Sequence, residues 1–321
     1  PVVVDGTFLD DTPANLYASG QYNHAKILLG STKDEGTYFA FKNPLFSSFM
    51  TADKVPLLER EAFEEALSEE VANFFGGSNA LLVSAIKQQY VDWSQDDKEN
   101  ASYFQSYVDY VTDCYFACGN DRVARYHVYG GDDVFMYQMT RLPNGTMEHI
   151  GVTWIGAYHT ADLWFVFGAP FIPKSQPSYR LREDKALSVK FMEFWTSFAK
   201  TGAPALKTSD SSPGSGTDVW PKFTIPELEY MILDVNLSTS RALKSQECHF
   251  WNDFFVQLRT LPGQKCTSGI WRETSKGHYS CVMEQDLCDT LDCQRCAAAG
   301  VSAVKLLTAA VAFMSLVVSI Q

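Results

Sequence analysis

The chain has 321 residues, 46% of them hydrophobic and 14% aromatic, which is ample for a buried core in one large or two ordinary domains. A net charge of −12, a pI near 4.9 and the lack of any Lys/Arg-rich run exclude nucleic acid as a natural partner. The first residues, PVVVDGTFLD, carry neither an initiating Met nor a basic, apolar leader, so the chain reads as a piece whose beginning lies upstream.

In chain order, AKILLG (Ala25 to Gly30) is a short apolar run ended by glycine and suits a buried parallel strand. Glu35 and Gly36 follow in what reads as a turn. From Val55 to Phe75, Leu57, Leu58, Phe63, Leu67, Val71 and Phe74 recur at helical spacing, and Gly76-Gly77 stops the run. Asn79 to Asp92 and Tyr103 to Cys118 are further predicted helices. VFMYQMTRL (Val134 to Leu142) predicts a strand closed by a Pro-Asn-Gly turn, and Asp162 to Phe167 a short apolar helix. Leu187, Phe191, Phe194, Trp195 and Phe198 mark one face of a helix closed by Gly202. SDSSPGSGTD is a surface loop and YMILD (Tyr230 to Asp234) a late strand.

Strands separated by helices predict an α/β fold with a mixed, mostly parallel sheet and helices on both faces. Residues 1–257 form one continuous domain in this reading, 258–296 a Cys-rich tail, and 297–321 an apolar terminal segment. Five of the eight cysteines crowd into the last sixty residues. Their spacing fits no zinc site, and the C-x-x-C of Cys293 and Cys296 lacks the βαβ surroundings of a redox motif, so neither metal nor cofactor is expected. These cysteines could bridge one another, join two copies in a disulfide-linked homodimer, or tether another partner. Sequons at Asn100, Asn144 and Asn236 agree with an extracellular setting. Leu306 to Ile320 is a fifteen-residue apolar run, short for a bilayer span. It resembles a GPI-attachment signal; a retained tail anchor and an amphipathic terminal helix are the alternatives.

In open α/β sheets, reactive groups sit in loops beyond the carboxyl ends of strands. Glu35 fits such a place, five residues past AKILLG, and His159 does so after VFMYQMTRL. A carboxylate followed by a histidine is the order of the α/β-hydrolase triad, in which an upstream serine comes first. A serine hydroxyl is a weak nucleophile, so an imidazole must take its proton, and a carboxylate must orient that imidazole and stabilise its charged form.

The stretches PVVVDGTFLDDTP, KILLGSTKDEGTYF, QQYVDW, WIGAYHTADLWFVFG and FWTSFAKTGAPA…VWPKF follow one another as in the type-B carboxylesterase family. The chain resembles the C-terminal half of that family's catalytic domain over about Pro1 to Gln257, the cholinesterases of arthropods most of all. The resemblance implies an α/β-hydrolase fold and an ester-cleaving Ser-Glu-His triad, with Glu35 in DEG and His159 in W-x-G-x-x-H as two of its members. It implies that Tyr38 and Phe39 face a choline group and an acyl pocket, with Trp154 lining the same gorge, so that the substrate is a small ester. A quaternary ammonium is held on such ring faces by cation–π attraction. Cys118 and Cys248 match a family disulfide, whereas Cys114, one helical turn before Cys118, has no counterpart.

Two departures bear on function. His159-Thr160-Ala161-Asp162 stands where cholinesterases read H-G-Y-E, and is closer to general carboxylesterases. No G-x-S-x-G occurs, so the nucleophile is expected upstream and the chain alone is expected to be inactive. A general carboxylesterase and a catalytically inactive, membrane-tethered adhesion or binding relative are the competing readings.

Overall fold

The computed structural model describes residues 4–46, 54–75, 79–96, 98, 100–143, 152, 154–172, 181–207, 219–259, 270–273, 279–282 and 318–320. In chain order these form α1 (Pro13–Ala18), β1 (Lys26–Thr32), α2 (Glu35–Lys42), α3 (Arg60–Phe75), α4 (Ala80–Tyr90), α5 (Phe104–Thr112), α6 (Cys118–Tyr129) and β2 (Val134–Met139). Then come α7 (Ala161–Val166), α8 (Leu181–Thr201), β3 (Glu229–Leu233), β4 (Ser238–Arg241), α9 (Ser245–His249), α10 (Phe255–Arg259), β5 (Ile270–Glu273), β6 (Tyr279–Val282) and β7 (Val318–Ile320). Single π-helical turns, Asp113–Ala117 and Phe250–Phe254, join α5 to α6 and α9 to α10.

The main sheet has the order β4-β3-β2-β1-β7. β1, β2 and β3 are parallel, with Ile27 opposite Val134 and Tyr137 opposite Met231, while β4 and β7 run antiparallel at the edges. A strand buried on both faces needs apolar side chains at every position, and alternate residues of β1 and β2 enter different cores. Leu28, Phe135, Tyr137 and Met139 pack on the α8 side with Leu187, Phe191, Phe194 and Phe198, whereas Ile27, Leu29, Val134 and Met136 meet Ala124 of α6. A third core lies among the helices of the β1–β2 crossover and includes Phe63, Leu67, Ile86, Tyr107, Val111 and Trp251.

Cys118 and Cys248 form a disulfide with Cα atoms 4.7 Å apart, tying the start of α6 to α9. Cys114 is a free thiol. Burial, with the Glu70 and Asp113 carboxylates nearby, pushes that thiol well above its ordinary pKa, so it carries little nucleophilic thiolate.

Several elements differ from the sequence-based expectation. Glu35 does not sit in a turn; it is the first residue of α2. β1 runs two residues beyond Gly30, and Val55 to Glu59 precede α3 rather than joining it. Asn144, the loop 209–218 and most of the predicted Cys-rich tail lie outside the described residues. In that tail, β5 and β6 pair as an antiparallel ribbon. Of the apolar terminal segment, only Val318–Ile320 is described, as a strand against β1. Among the described residues no helix is long and apolar enough to cross a membrane.

Candidate active site

Glu35 and His159, 124 positions apart, meet where β1 and β2 end. Glu35 Oε2 and His159 Nδ1 are 2.6 Å apart, and both residues are buried, at 3% and 2% exposure. The other carboxylate oxygen, Oε1, accepts a hydrogen bond from the Thr32 N–H at 2.7 Å. The carboxylate therefore has a fixed direction, and it sits in the first turn of α2, where the helix dipole favours negative charge. A carboxylate oxygen can only accept, so Nδ1 is the ring nitrogen that donates to it. His159 Nε2 is buried and has no hydrogen-bond partner among the described residues.

Local sequence explains how these two side chains are brought together. α2 lies directly on α5, and a Cβ built on Gly36 would be 2.2 Å from the Val108 carbonyl oxygen. Only glycine allows that approach, which also lets the Gly36 N–H donate to Thr112 Oγ1 at 3.0 Å. The chain segment carrying His159 is then clasped to the start of α2. Asp34 N–H donates to the Ala157 carbonyl at 3.0 Å, and Ala157 N–H donates back to Asp34 Oδ2 at 2.9 Å. The Thr37 hydroxyl lies 2.7 Å from the carbonyls of both Ile155 and Asp34. Burial raises the Asp34 pKa, against the lowering effect of the Ala157 hydrogen bond.

Aromatic rings wall the imidazole. The centroids of Phe116, Phe39 and Tyr38 lie 4.7, 5.4 and 5.9 Å from that of His159. Tyr38 and Phe39 meet edge to face, and Lys42 Nζ sits 5.7 Å from the Tyr38 ring centre. Trp154 packs edge-on against Phe104 of α5. Asn100 and Asn236 are exposed, Asn100 in a left-handed turn with φ of 65°. Among the described residues no group of three or more His, Cys, Asp or Glu could hold a metal ion.

The sequence did not single out Asp34, Thr37, Phe116 or Tyr137. Asp34 had a readable signal, a second acid beside Glu35 in KDEG. Phe116 had none, because its contact with His159 depends on where a π-helical turn places it.

Residues 1–251 match the Carboxylesterase family. The chain is 30% identical over 258 residues to the acetylcholinesterase of Bungarus fasciatus, covering 80% of this chain and 39% of that protein. It is also 30% identical over 265 residues to the acetylcholinesterase of Leptinotarsa decemlineata, covering 82% of this chain and 38% of that protein. The chain thus spans about two-fifths of the length of these curated relatives. The parallel sheet, the acid and histidine in contact beyond its strand ends, and a family match across most of its residues converge: the chain belongs to the carboxylesterase family and has the α/β-hydrolase fold.

Proposed function

We propose that this chain is the C-terminal part of a serine carboxylic-ester hydrolase of acetylcholinesterase type, whose nucleophile lies in sequence outside these 321 residues. The observation that carries the reading is the state of His159. One ring nitrogen is engaged by a buried glutamate, and the other is buried without a partner among the described residues. A histidine held in this way is oriented and electrostatically prepared to accept a proton at Nε2.

In the proposed cycle a serine Oγ attacks the ester carbonyl carbon while Nε2 takes the hydroxyl proton. Glu35 stabilises the imidazolium that results. The tetrahedral intermediate collapses, the carbon–oxygen bond to the alcohol breaks, and the departing oxygen takes the proton from Nε2. Water then repeats the sequence on the acyl-serine and releases the acid. Expressed alone, the chain has no attacking hydroxyl in this scheme and turns nothing over.

Substrate preference is divided between two readings. The ring pair Tyr38 and Phe39 beside His159 supports a choline ester, held by cation–π attraction, with Trp154 as a further wall. Lys42 over the Tyr38 ring supports a neutral ester, because that ring already meets a cation. The disulfide and the exposed sequons at Asn100 and Asn236 support an oxidising, extracellular setting. Attachment to a membrane through the apolar C-terminal run belongs to the same proposal.

The test is hydrolysis by the complete protein of acetylthiocholine and of an uncharged thioester of similar size. Activity that vanishes in His159→Ala with the fold intact supports the triad, and activity retained in that variant overturns it. Tyr38→Ala should weaken the cationic substrate more than the neutral one. Equal losses would reduce Tyr38 to packing.

A further inference from the structure

A carboxylate that the proposed chemistry does not use is tied to the aromatic wall of the site. Glu70, on α3, is partly buried, and a phenol takes each of its two oxygens. Oε1 accepts from the Tyr107 hydroxyl of α5 at 2.6 Å, and Oε2 accepts from the Tyr115 hydroxyl of the first π-helical turn at 2.8 Å. Burial raises the Glu70 pKa, and the hydrogen bonds from Tyr107 and Tyr115 oppose that rise. Phe74, four residues after Glu70 and so on the same face of α3, has its ring centre 5.3 Å from that of Tyr115. One face of α3 therefore holds Tyr115 twice, by its hydroxyl and by its ring.

Both phenols lead to α2, the helix that carries Glu35, Tyr38 and Phe39. Tyr115 meets Phe39 edge to face at 5.7 Å, and the Phe39 ring centre is 5.4 Å from that of His159. The Tyr107 hydroxyl accepts from Nδ2 of Asn43, the residue at the C-terminal cap of α2, at 3.3 Å. Phe116, next to Tyr115 in the same π-helical turn, contacts both Phe39 and His159. Phe39 thus leans on two consecutive rings of one π-helical turn, and Glu70 ties that turn to α3. Apolar packing alone would hold the rings in place only by contact. A phenol bonded to a carboxylate adds a fixed direction.

We propose that Glu70 is a positioning residue that, through Tyr115, holds Phe39 in place and so limits the substrate to a short acyl group of acetyl size. The inference rests on the proposed esterase function, in which Phe39 faces the acyl group, and adds to it a determinant of acyl length.

An apolar pocket tells acyl chains apart by the room its walls leave, and one methylene is worth about 10- to 200-fold in kcat/KM. A wall ring gives that discrimination only while it keeps its place. With the carboxylate gone, Tyr115 keeps its ring contacts and loses the bond that directs them. Phe39 can then tilt away from a longer chain.

The experiment compares kcat/KM of the complete protein for an acetyl and a butyryl thioester of the same uncharged thiol. Glu70→Leu fills the space and removes both acceptors, and should raise the butyryl-to-acetyl ratio about threefold to tenfold. Tyr115→Phe keeps the ring and should raise the ratio by more than about twofold. In Glu70→Gln the amide can accept from one phenol and donate to the other, and the ratio should stay within about twofold of wild type. A ratio that falls, or stays within about twofold of wild type, in Glu70→Leu or in Tyr115→Phe would overturn the proposal, even if both substrates slowed, since a general loss of structure lowers both rates together. If Glu70→Leu fails to fold, Tyr115→Phe decides alone. If the complete protein hydrolyses neither thioester, the proposed function fails, and the brace is read from the fluorine NMR signal of a ring-fluorinated Phe39. A signal moved by Glu70→Leu and kept in place by Glu70→Gln supports the positioning of Phe39, and a signal unmoved by Glu70→Leu overturns it.

Discussion

The clasp between Asp34 and Ala157 is where the stability of the site can be separated from its chemistry. Asp34→Ala leaves the hydrogen bond from the Asp34 N–H to the Ala157 carbonyl and removes the return bond from the Ala157 N–H. Ala157 is buried, so its N–H loses its acceptor without gaining water. An orphaned buried donor costs about 1–3 kcal/mol. Part of that is offset, because the Asp34 carboxylate is itself disfavoured by burial and no longer needs to be desolvated. The expected net loss is about 1–2 kcal/mol in a urea unfolding experiment. The loosened segment carries His159, so kcat in the complete enzyme should fall about tenfold to a hundredfold, because a misplaced base costs rate steeply. Asp34→Asn keeps an amide oxygen that can accept the Ala157 N–H without the desolvation of a charge, and should restore most of both quantities. If Asp34→Ala unfolds at the wild-type midpoint and turns over within twofold of wild type, the clasp does not hold the histidine. If Asn and Ala behave alike, the hydrogen bond is not the reason.

Gly36→Ala should destabilise the chain by about 1–3 kcal/mol, because the atom met at 2.2 Å is the Val108 backbone carbonyl rather than a mobile side-chain end; an unchanged thermal midpoint would show that α2 and α5 can separate freely. Thr160→Gly should raise stability by about 0.5–1 kcal/mol, the relief of a left-handed residue exceeding the added freedom of the unfolded chain. Asp113 is fully buried, and burial raises its carboxyl to about 7, against the lowering effect of Lys244, so the native state holds a proton that the unfolded chain releases near 3.8. Its contribution is therefore complete below about 4 and is lost as the pH rises to about 7, by an amount on the order of 2–4 kcal/mol. Denaturant midpoints of Asp113→Asn and wild type should converge at pH 5 relative to pH 8, and a gap independent of pH would refute the assignment.

The parallel strands and the long α8 were legible because each buries a repeating pattern that only one geometry satisfies. The run AKILLG is apolar on both faces, as a central strand requires, and Leu187 to Phe198 trace one helical stripe. The helix α2 was missed for a physical reason. Glu35-Gly36-Thr37 looks like a turn when read locally, since glycine and a β-branched residue weaken a helix. Here Gly36 is required by the approach of α5, and Thr37 directs its hydroxyl to the segment carrying His159. The helices after Ser245 were hidden differently: a π-helical turn breaks the apolar repeat between them. The disulfide was readable only through resemblance, because Cys114 and Cys118 are equivalent candidates by spacing. The three-dimensional positions distinguish them, with Cys118 facing Cys248 and Cys114 left as a thiol.

What the sequence conceals at the site follows from what it displays. A periodic pattern records which side chains leave water, and Glu35 and His159 leave water as fully as Leu28 does. Their burial, like that of their acidic neighbours, is tolerable because each carboxylate has hydrogen-bond partners: Thr32 N–H and His159 Nδ1 for Glu35, Tyr137 and Leu163 for Asp162, Ala157 for Asp34. His159 Nε2 has no partner among the described residues. Leaving a buried nitrogen unpaired carries a desolvation cost that packing cannot recover, so the rest of the constellation, which fixes the ring so firmly, gains nothing for stability from that one atom. Among the described residues that nitrogen is one of several buried polar atoms without a partner, and what sets it apart is the Glu35 contact on the other side of the same ring, which supports the acid–base role proposed above.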